Sequence, residues 1–225
     1  MQGKGVNKEC SKLTRLLLVR HGESVANRRD VFSGYYDAEL EEKGRVQADK
    51  TAKYIVSKYQ IEKVYASDLK RAYETGKTVA DLAGVPIESR EGLREINGGK
   101  WEGVPFAKLP ILYPEIYKIW MNDIGKMRCP EGESIEELGT RVLKAVTEIA
   151  CENEGKTIVI ATHATPIRVL ESMIRLGGVE KMQTVSWVSN ASVTELFYEN
   201  GNWEYGTIGY DEHLSHLRTS LSEDI

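Results

Sequence analysis

The chain has 225 residues, of which 41 % are apolar and 28 % charged, and its net charge is -4. That length holds one substantial core, or a domain with a small inserted subdomain, and the composition is ordinary for a globular protein. The balance of charge excludes a global pull toward nucleic acid or anionic membrane, so any anion site must come from a few local cations.

The first dozen residues are polar, and residues 1–13 are expected to be loosely ordered. Thr14 to Val19 is a short leucine-rich run suited to a buried strand, and it stops at Arg20-His21-Gly22-Glu23. Its core, Leu16-Leu17-Leu18-Val19, is too short for a signal peptide or a membrane span. After a polar loop, Lys43 to Tyr59 reads as a helix with Val46, Ala52, Ile55, Val56 and Tyr59 near one side. Val64-Tyr65-Ala66 is a second strand ending at Ser67-Asp68, followed by a helix over Leu69 to Ala83 that Gly84 and Pro86 terminate. Ile87 to Gly103 reads as irregular. Residues 104–133 form a small helical excursion closed by Pro130-Glu131-Gly132.

Ser134 and Glu137 have the spacing of a capping box. The helix they open carries the stripe Ile135, Leu138, Val142, Ala145, Val146 and Ile149. Thr157 to Ala161 is a third short apolar strand, ending at Thr162-His163. Thr165-Pro166 is expected to open the next helix as N-cap and first residue, and Gly177-Gly178 to end it. Val193 to Tyr198 and Trp203 to Thr207 suit a hairpin turning at Asn200-Gly201. Residues 211–225 read as a polar tail in which His213 and His216 are solvated. The whole of 1–225 is expected to be one domain. Cys10, Cys129 and Cys151 are odd in number, widely spaced and lack zinc-type pairing; they read as reduced thiols in a cytoplasmic protein.

Strands alternating with helices predict a three-layer α/β/α sandwich with a mostly parallel central sheet. Ligands of such sheets sit beyond the carboxyl ends of the strands. Three predicted strands end at Arg20-His21, Ser67-Asp68 and Thr162-His163. Arginine offers a planar fork of donors to phosphate oxygens, and a following glycine lets backbone approach an anion. Taken alone, Arg20-His21-Gly22 is as well explained by a strand capped with ordinary surface residues. Arg71, one turn beyond the second strand end, and His163, beside a helix N-terminus, add to the phosphate reading.

Rival phosphoryl chemistries fail on spacing. Cys10 to Arg15 encloses four residues where a cysteine phosphatase loop needs five, and Gly155-Lys156-Thr157 has Ala150 in place of the first P-loop glycine. No aspartate cluster suggests paired metals.

Arg20-His21-Gly22-Glu23-Ser24 with Asn27, then Ser67-Asp68-Leu69-Lys70-Arg71-Ala72, Leu93-Arg94-Glu95-Ile96 and Thr162-His163, resembles the histidine phosphatase, or phosphoglycerate mutase-like, superfamily. The motifs occur in family order between about residues 14 and 199. The resemblance implies that His21 is a nucleophile becoming phosphohistidine, and that Arg20, Arg71 and His163 bind the phosphoryl group. It implies Glu95 as proton donor to the leaving oxygen, with Asn27, Ser33, Gly34 and Ala164 among the substrate contacts. A neutral imidazole must make the attack, and Arg20 and Arg71 favour that form. Its other ring nitrogen is expected to be held by a backbone carbonyl.

Within the family, Arg94 to Gly103 resembles the phosphatase branch that includes alpha-ribazole and broad-specificity phosphatases. Met121-Asn122 stands after Trp120 where mutases place paired arginines, and Ala164 where they commonly have glycine. Asn97 and Gly98 depart from the branch's usual aspartate and bulky residue. The resemblance therefore implies a metal-independent phosphomonoester hydrolase with no cofactor, acting on a small phosphorylated metabolite. It implies no nucleic-acid or membrane partner and leaves a homodimer open. A cofactor-dependent phosphoglycerate mutase is the alternative, and an inactive phospholigand-binding protein a more distant one. Arg28, Arg29, Lys100 and Lys108 are candidate contacts for a second anionic group, and Tyr35, Tyr36, Phe106, Tyr113 and Tyr117 candidate walls for a ring-bearing leaving group.

Overall fold

Six strands lie in the order β3-β2-β4-β1-β5-β6 in the computed structural model, which describes residues 12–219. They are β1 (Thr14–Arg20), β2 (Lys63–Ala66), β3 (Ile87–Ser89), β4 (Thr157–Thr162), β5 (Val193–Glu199) and β6 (Asn202–Tyr205). The first four run parallel, and β5 and β6 add an antiparallel hairpin turning at Asn200-Gly201. The mostly parallel sheet is the one expected. β3 was not, because its three half-exposed residues have no alternation to mark them.

Residues of β1 and β4 are buried on both faces, as parallel central strands require. Leu17, Val19 and Val159 pack toward α2 (Glu42–Lys58) and α3 (Lys70–Ala83), through Ala52, Ile55, Val79 and Ala80. Leu16, Leu18, Ile158 and Ile160 pack toward α6 (Ile135–Glu152) and α7 (Ala164–Leu176), through Leu138, Val142, Ile149 and Ile167. Each such buried aliphatic side chain contributes about 1.5–3 kcal/mol, so the alternation of β1 fixes which helix pair covers which face. α6 opens with the Ser134–Glu137 capping box.

The shorter helices are α1 (Val25–Arg28), α4 (Leu109–Leu112) and α5 (Pro114–Asn122). α1 occupies part of the expected polar loop; Ser24 and Asn27 form its capping box. Trp120 of α5 is buried against Phe32 and Trp101.

Two expectations about the helix and tail need correction. α7 begins at Ala164 with His163 as N-cap, so Thr165 and Pro166 lie inside its first turn. Proline is tolerated there because first-turn N–H groups have no intrahelical acceptor, so its position does not fix the first residue. His213 is not solvated: its ring stacks on Tyr54 and Tyr210, and its Nε2 lies 2.8 Å from Thr51 Oγ1. Leu214 beside it is fully buried, whereas His216 is exposed.

Cys129 is free and buried, but Cys151 is engaged in a disulfide. Cys10 and most of the 1–13 segment lie outside the described residues. The cysteines therefore give no argument for a reducing compartment. Among the described residues no helix is long and apolar enough to cross a membrane.

Candidate active site

The parallel register brings three strand ends to one edge of the sheet. Arg20 pairs with Thr162, and Ala66 with Ala161. Beyond those ends, His21 N–H donates to Thr162 O at 3.0 Å and Ser67 N–H to Ala161 O at 2.9 Å. His21 and His163 thus face each other, ring centroids 5.1 Å apart at 63°. Both are buried.

The His21 ring is held from both nitrogens. Nδ1 lies 2.7 Å from Gly22 O, which fixes the proton on Nδ1 because a carbonyl can only accept. Nε2 then carries the lone pair, and Arg71 Nε donates to it at 3.3 Å. Arg71 extends from the first turn of α3 and is fully buried, with its other donors on Tyr36 O at 3.0 Å and Gly34 O at 2.8 Å. Gly34 turns that carbonyl inward with φ +47°, and a Cβ there would meet the Gly98 amide nitrogen at 2.9 Å.

Gly22 also has a packing role that the sequence did not suggest. A Cβ on it would lie 2.3 Å from Gly44 O, and one on Gly44 would lie 2.0 Å from Glu23 O. The glycine pair therefore lets α2 touch the loop that carries His21. Thr75 completes the seat: its Oγ1 accepts from Gly22 N–H at 3.1 Å and donates to Arg71 O at 2.7 Å.

Burial holds the His21 imidazole well below the usual histidine pKa, helped by the positive charges of Arg71 and Arg20 and opposed by the Gly22 bond. His163 is lowered for the same reasons, burial first and the Arg71 charge next. Burial also lowers Arg20 to about 10, an effect that Glu95 opposes. Both histidines are therefore harder to protonate in the folded protein than in the unfolded chain. The unfolded chain takes up protons on these rings as pH falls through about 6.5, so acidification there lowers stability. Nitrogen NMR at pH 6 should find His21 neutral with its proton on Nδ1; a protonated ring at that pH contradicts the assignment.

The other donors point to an anion. Arg20 gives one guanidinium nitrogen to Val188 O, and His163 Nε2 lies 2.8 Å from Ser67 Oγ. Among the described residues neither Arg20 Nε nor His163 Nδ1 has a hydrogen-bond partner, although both are buried. Buried polar atoms without partners are rare, and two near the His21 ring suit a ligand that supplies acceptors. The N-terminus of α7 adds its dipole, with Ala164 and Thr165 in the wall of the cleft.

Glu95 enters from the loop after β3. Its Oε1 accepts from Ile96 N–H at 2.9 Å and its Oε2 from Thr165 N–H at 3.4 Å. Arg141 of α6 fixes that loop by donating to Gly92 O, Arg94 O and Glu95 O, each at 3.1 Å, and is itself paired with Glu133. Arg94 turns away to a two-pronged pair with Asp68, which ties two of the sequence motifs together.

Asn27, Ser33, Gly34, Glu95 and Ala164 all line one cleft with Arg20 and His21. The Asn27 carboxamide oxygen accepts from Ser24 N–H at 3.0 Å and from Asn190 Nδ2 at 3.3 Å, so its NH₂ is the end left for a ligand. Asn190, not foreseen, also donates to His21 O at 3.0 Å.

Of the aromatic candidates only Phe106 lines the cleft; the other aromatic walls are Phe32, Trp120 and Trp187. Tyr35 instead lies under the Arg94 guanidinium, Tyr36 is exposed, and Tyr113 packs on Trp101. Arg28 and Lys100 are paired with Glu41 and Glu131, and neither they nor Arg29 and Lys108 reach the cleft walls. Among the described residues no three His, Cys, Asp or Glu side chains gather as metal ligands would.

Known proteins resemble this chain along most of its length. The profile of the histidine phosphatase superfamily, branch 1, matches residues 16–210. Phosphoglycerate mutase-like protein 4 of Arabidopsis thaliana is 28 % identical over 230 residues, spanning 100 % of this chain and 98 % of that protein. The metal-independent phosphoserine phosphatase of the same plant is 27 % identical over 207 residues, 91 % of this chain and 85 % of its own. The solved structure of a mycobacterial glucosyl-3-phosphoglycerate phosphatase superposes with a TM-score of 0.80 at 25 % identity, covering 89 % of this chain and all of that one.

Proposed function

The chain belongs to the histidine phosphatase superfamily and is a phosphatase of that type, and we propose that it hydrolyses a small phosphorylated metabolite through a phosphohistidine on His21. In the first step the lone pair of His21 Nε2 attacks phosphorus and the bond from phosphorus to the leaving oxygen breaks. Glu95 gives its carboxyl proton to that oxygen, which departs as an alcohol. Water then attacks the phosphohistidine, losing a proton to Glu95, and the N–P bond breaks to release phosphate and restore His21.

The observation that carries this reading is the paired restraint on His21: Gly22 O holds Nδ1 while Nε2 stays unprotonated beside a buried guanidinium. Arg71 Nε must leave Nε2 as phosphate arrives, and a phosphate oxygen is the stronger acceptor for it. Arg20, Arg71 and His163 balance the charge that spreads over the equatorial oxygens, the role a metal has in other phosphatases. Water is favoured as acceptor because, among the described residues, none of the excursion's cations lines the cleft where it could retain a bisphosphorylated intermediate. Asn122 Nδ2 donates to Lys118 O within α5, and Met121 packs on the core.

The test is phosphate release from a panel of phosphomonoesters in buffer containing a chelator. Undiminished turnover is expected; activity lost to the chelator and restored by one divalent cation contradicts the metal-independent chemistry.

A further inference from the structure

Beyond the phosphoryl end the cleft changes character. Its outer walls are Val31, Phe32, Ile96, Phe106, Trp120 and Trp187. Phe32 lies at the centre, 5.7 Å from both Phe106 and Trp120, and Trp120 is 5.9 Å from Trp187 at a shallow 31°. Trp187 is only partly buried and forms the rim. Its ring is held by the Arg168 guanidinium, 4.2 Å from the ring centroid, and Arg168 is in turn fixed by a 2.7 Å bond from Nε to Val185 O.

Among the described residues these outer walls carry no charged side chain. Arg20 is the one arginine or lysine in the wall among the described residues, and it belongs to the phosphoryl end, next to Glu95 and Arg71. Arg168 lies against Trp187 and does not line the cleft. A carboxylate on the leaving group would lose its hydration against these aromatic walls and meet no cation there. An uncharged ring would instead bury its faces against Trp120 and Trp187 in offset contact.

From this we infer that the site selects phosphomonoesters of uncharged, ring-bearing alcohols and disfavours carboxylate-bearing ones, with Trp187 as the residue that sets the preference. The inference rests on the phosphatase reading above and departs from the substrates named for two of the relatives, phosphoserine and glucosyl-3-phosphoglycerate, both of which carry a carboxylate.

The test compares benzyl phosphate with 4-carboxybenzyl phosphate, two primary-alcohol esters of similar shape that differ by one carboxylate. The expected kcat/KM is at least about tenfold higher for benzyl phosphate, the scale of a well-filled apolar pocket. In Trp187→Ala the ratio of kcat/KM for benzyl phosphate to that for methyl phosphate is expected to fall about tenfold, chiefly through KM. A ratio within one preparation is insensitive to the fraction of folded enzyme. Trp187→Arg should narrow the gap between the benzyl and carboxybenzyl esters. Equal or better turnover of the carboxybenzyl ester, or an unchanged benzyl-to-methyl ratio in Trp187→Ala, overturns the inference while leaving the phosphatase reading intact. No release from either ester or from 4-nitrophenyl phosphate overturns both.

Discussion

Alanine in place of His21 is expected to lower turnover at least roughly 10⁴-fold, the scale on which enzymes lose activity with their covalent nucleophile. The remaining site cannot compensate. Arg20, Arg71 and His163 can still gather a phosphate, but no other unprotonated nucleophile lies at Nε2. The fold should survive the change, because the seat of the loop is made by backbone and neighbours. Gly22 N–H remains on Thr75, His21 N–H on Thr162 O, and Asn190 on the His21 carbonyl. Arg71 keeps both of its carbonyl partners, on Gly34 and Tyr36. Circular dichroism should therefore be native, and equilibrium binding of inorganic phosphate should persist while steady-state release of phosphate vanishes. Retention of a tenth of the wild-type rate by a native-like His21→Ala protein would exclude His21 as the nucleophile.

The second large effect belongs to Glu95. A positioned general acid contributes about 10²- to 10⁴-fold, and its share depends on how badly the leaving oxygen needs a proton. Glutamine keeps the shape and can still accept from Ile96 N–H, but it has no proton to give. An alkyl phosphate such as benzyl phosphate should then be phosphorylating His21 at least about 100-fold more slowly in Glu95→Gln. For 4-nitrophenyl phosphate, whose phenolate leaves unaided, the loss in that step should be far smaller. Single-turnover kinetics separate this step from hydrolysis of the phosphoenzyme. Equal slowing for both esters would place Glu95 in positioning and not in proton transfer.

The framework of this site was legible in the sequence because strand ends are marked by sharp changes in residue type. Arg20-His21, Ser67-Asp68 and Thr162-His163 each follow a short apolar run, and parallel pairing brings such ends together whatever the intervening chain does. The Ser134–Glu137 capping box was equally local, and the structure forms it as written. The carbonyl that holds His21 Nδ1 was anticipated in kind, and it is that of Gly22.

What the sequence withheld is what depends on distant contacts. Gly22 gives no sign in sequence that Gly44, twenty-two positions later, presses on it. Nothing in the sequence marks the Arg141–Glu133 pair that carries the Glu95 loop. Asn190, which reaches both His21 O and Asn27, follows a 3-10 turn with no motif of its own. The aromatic walls come from residues 32, 106, 120 and 187, too scattered for any periodicity to collect them, whereas the tyrosines near the motifs proved to pack elsewhere. His213 was misread because a polar tail gives no sign that it folds back onto α2, where Leu214 is buried and Gln47 Nε2 donates to Leu217 O at 2.8 Å.

The most direct test of the account is to catch the intermediate. Enzyme mixed with ³²P-labelled phosphomonoester and quenched within the first turnover should carry label in an adduct that is stable to base and lost in acid, as a phosphoramidate is. Peptide mapping should place it on His21, and His21→Ala should show none. Label on a cysteine, serine or aspartate, or on His163 with His21 unmodified, would contradict the mechanism.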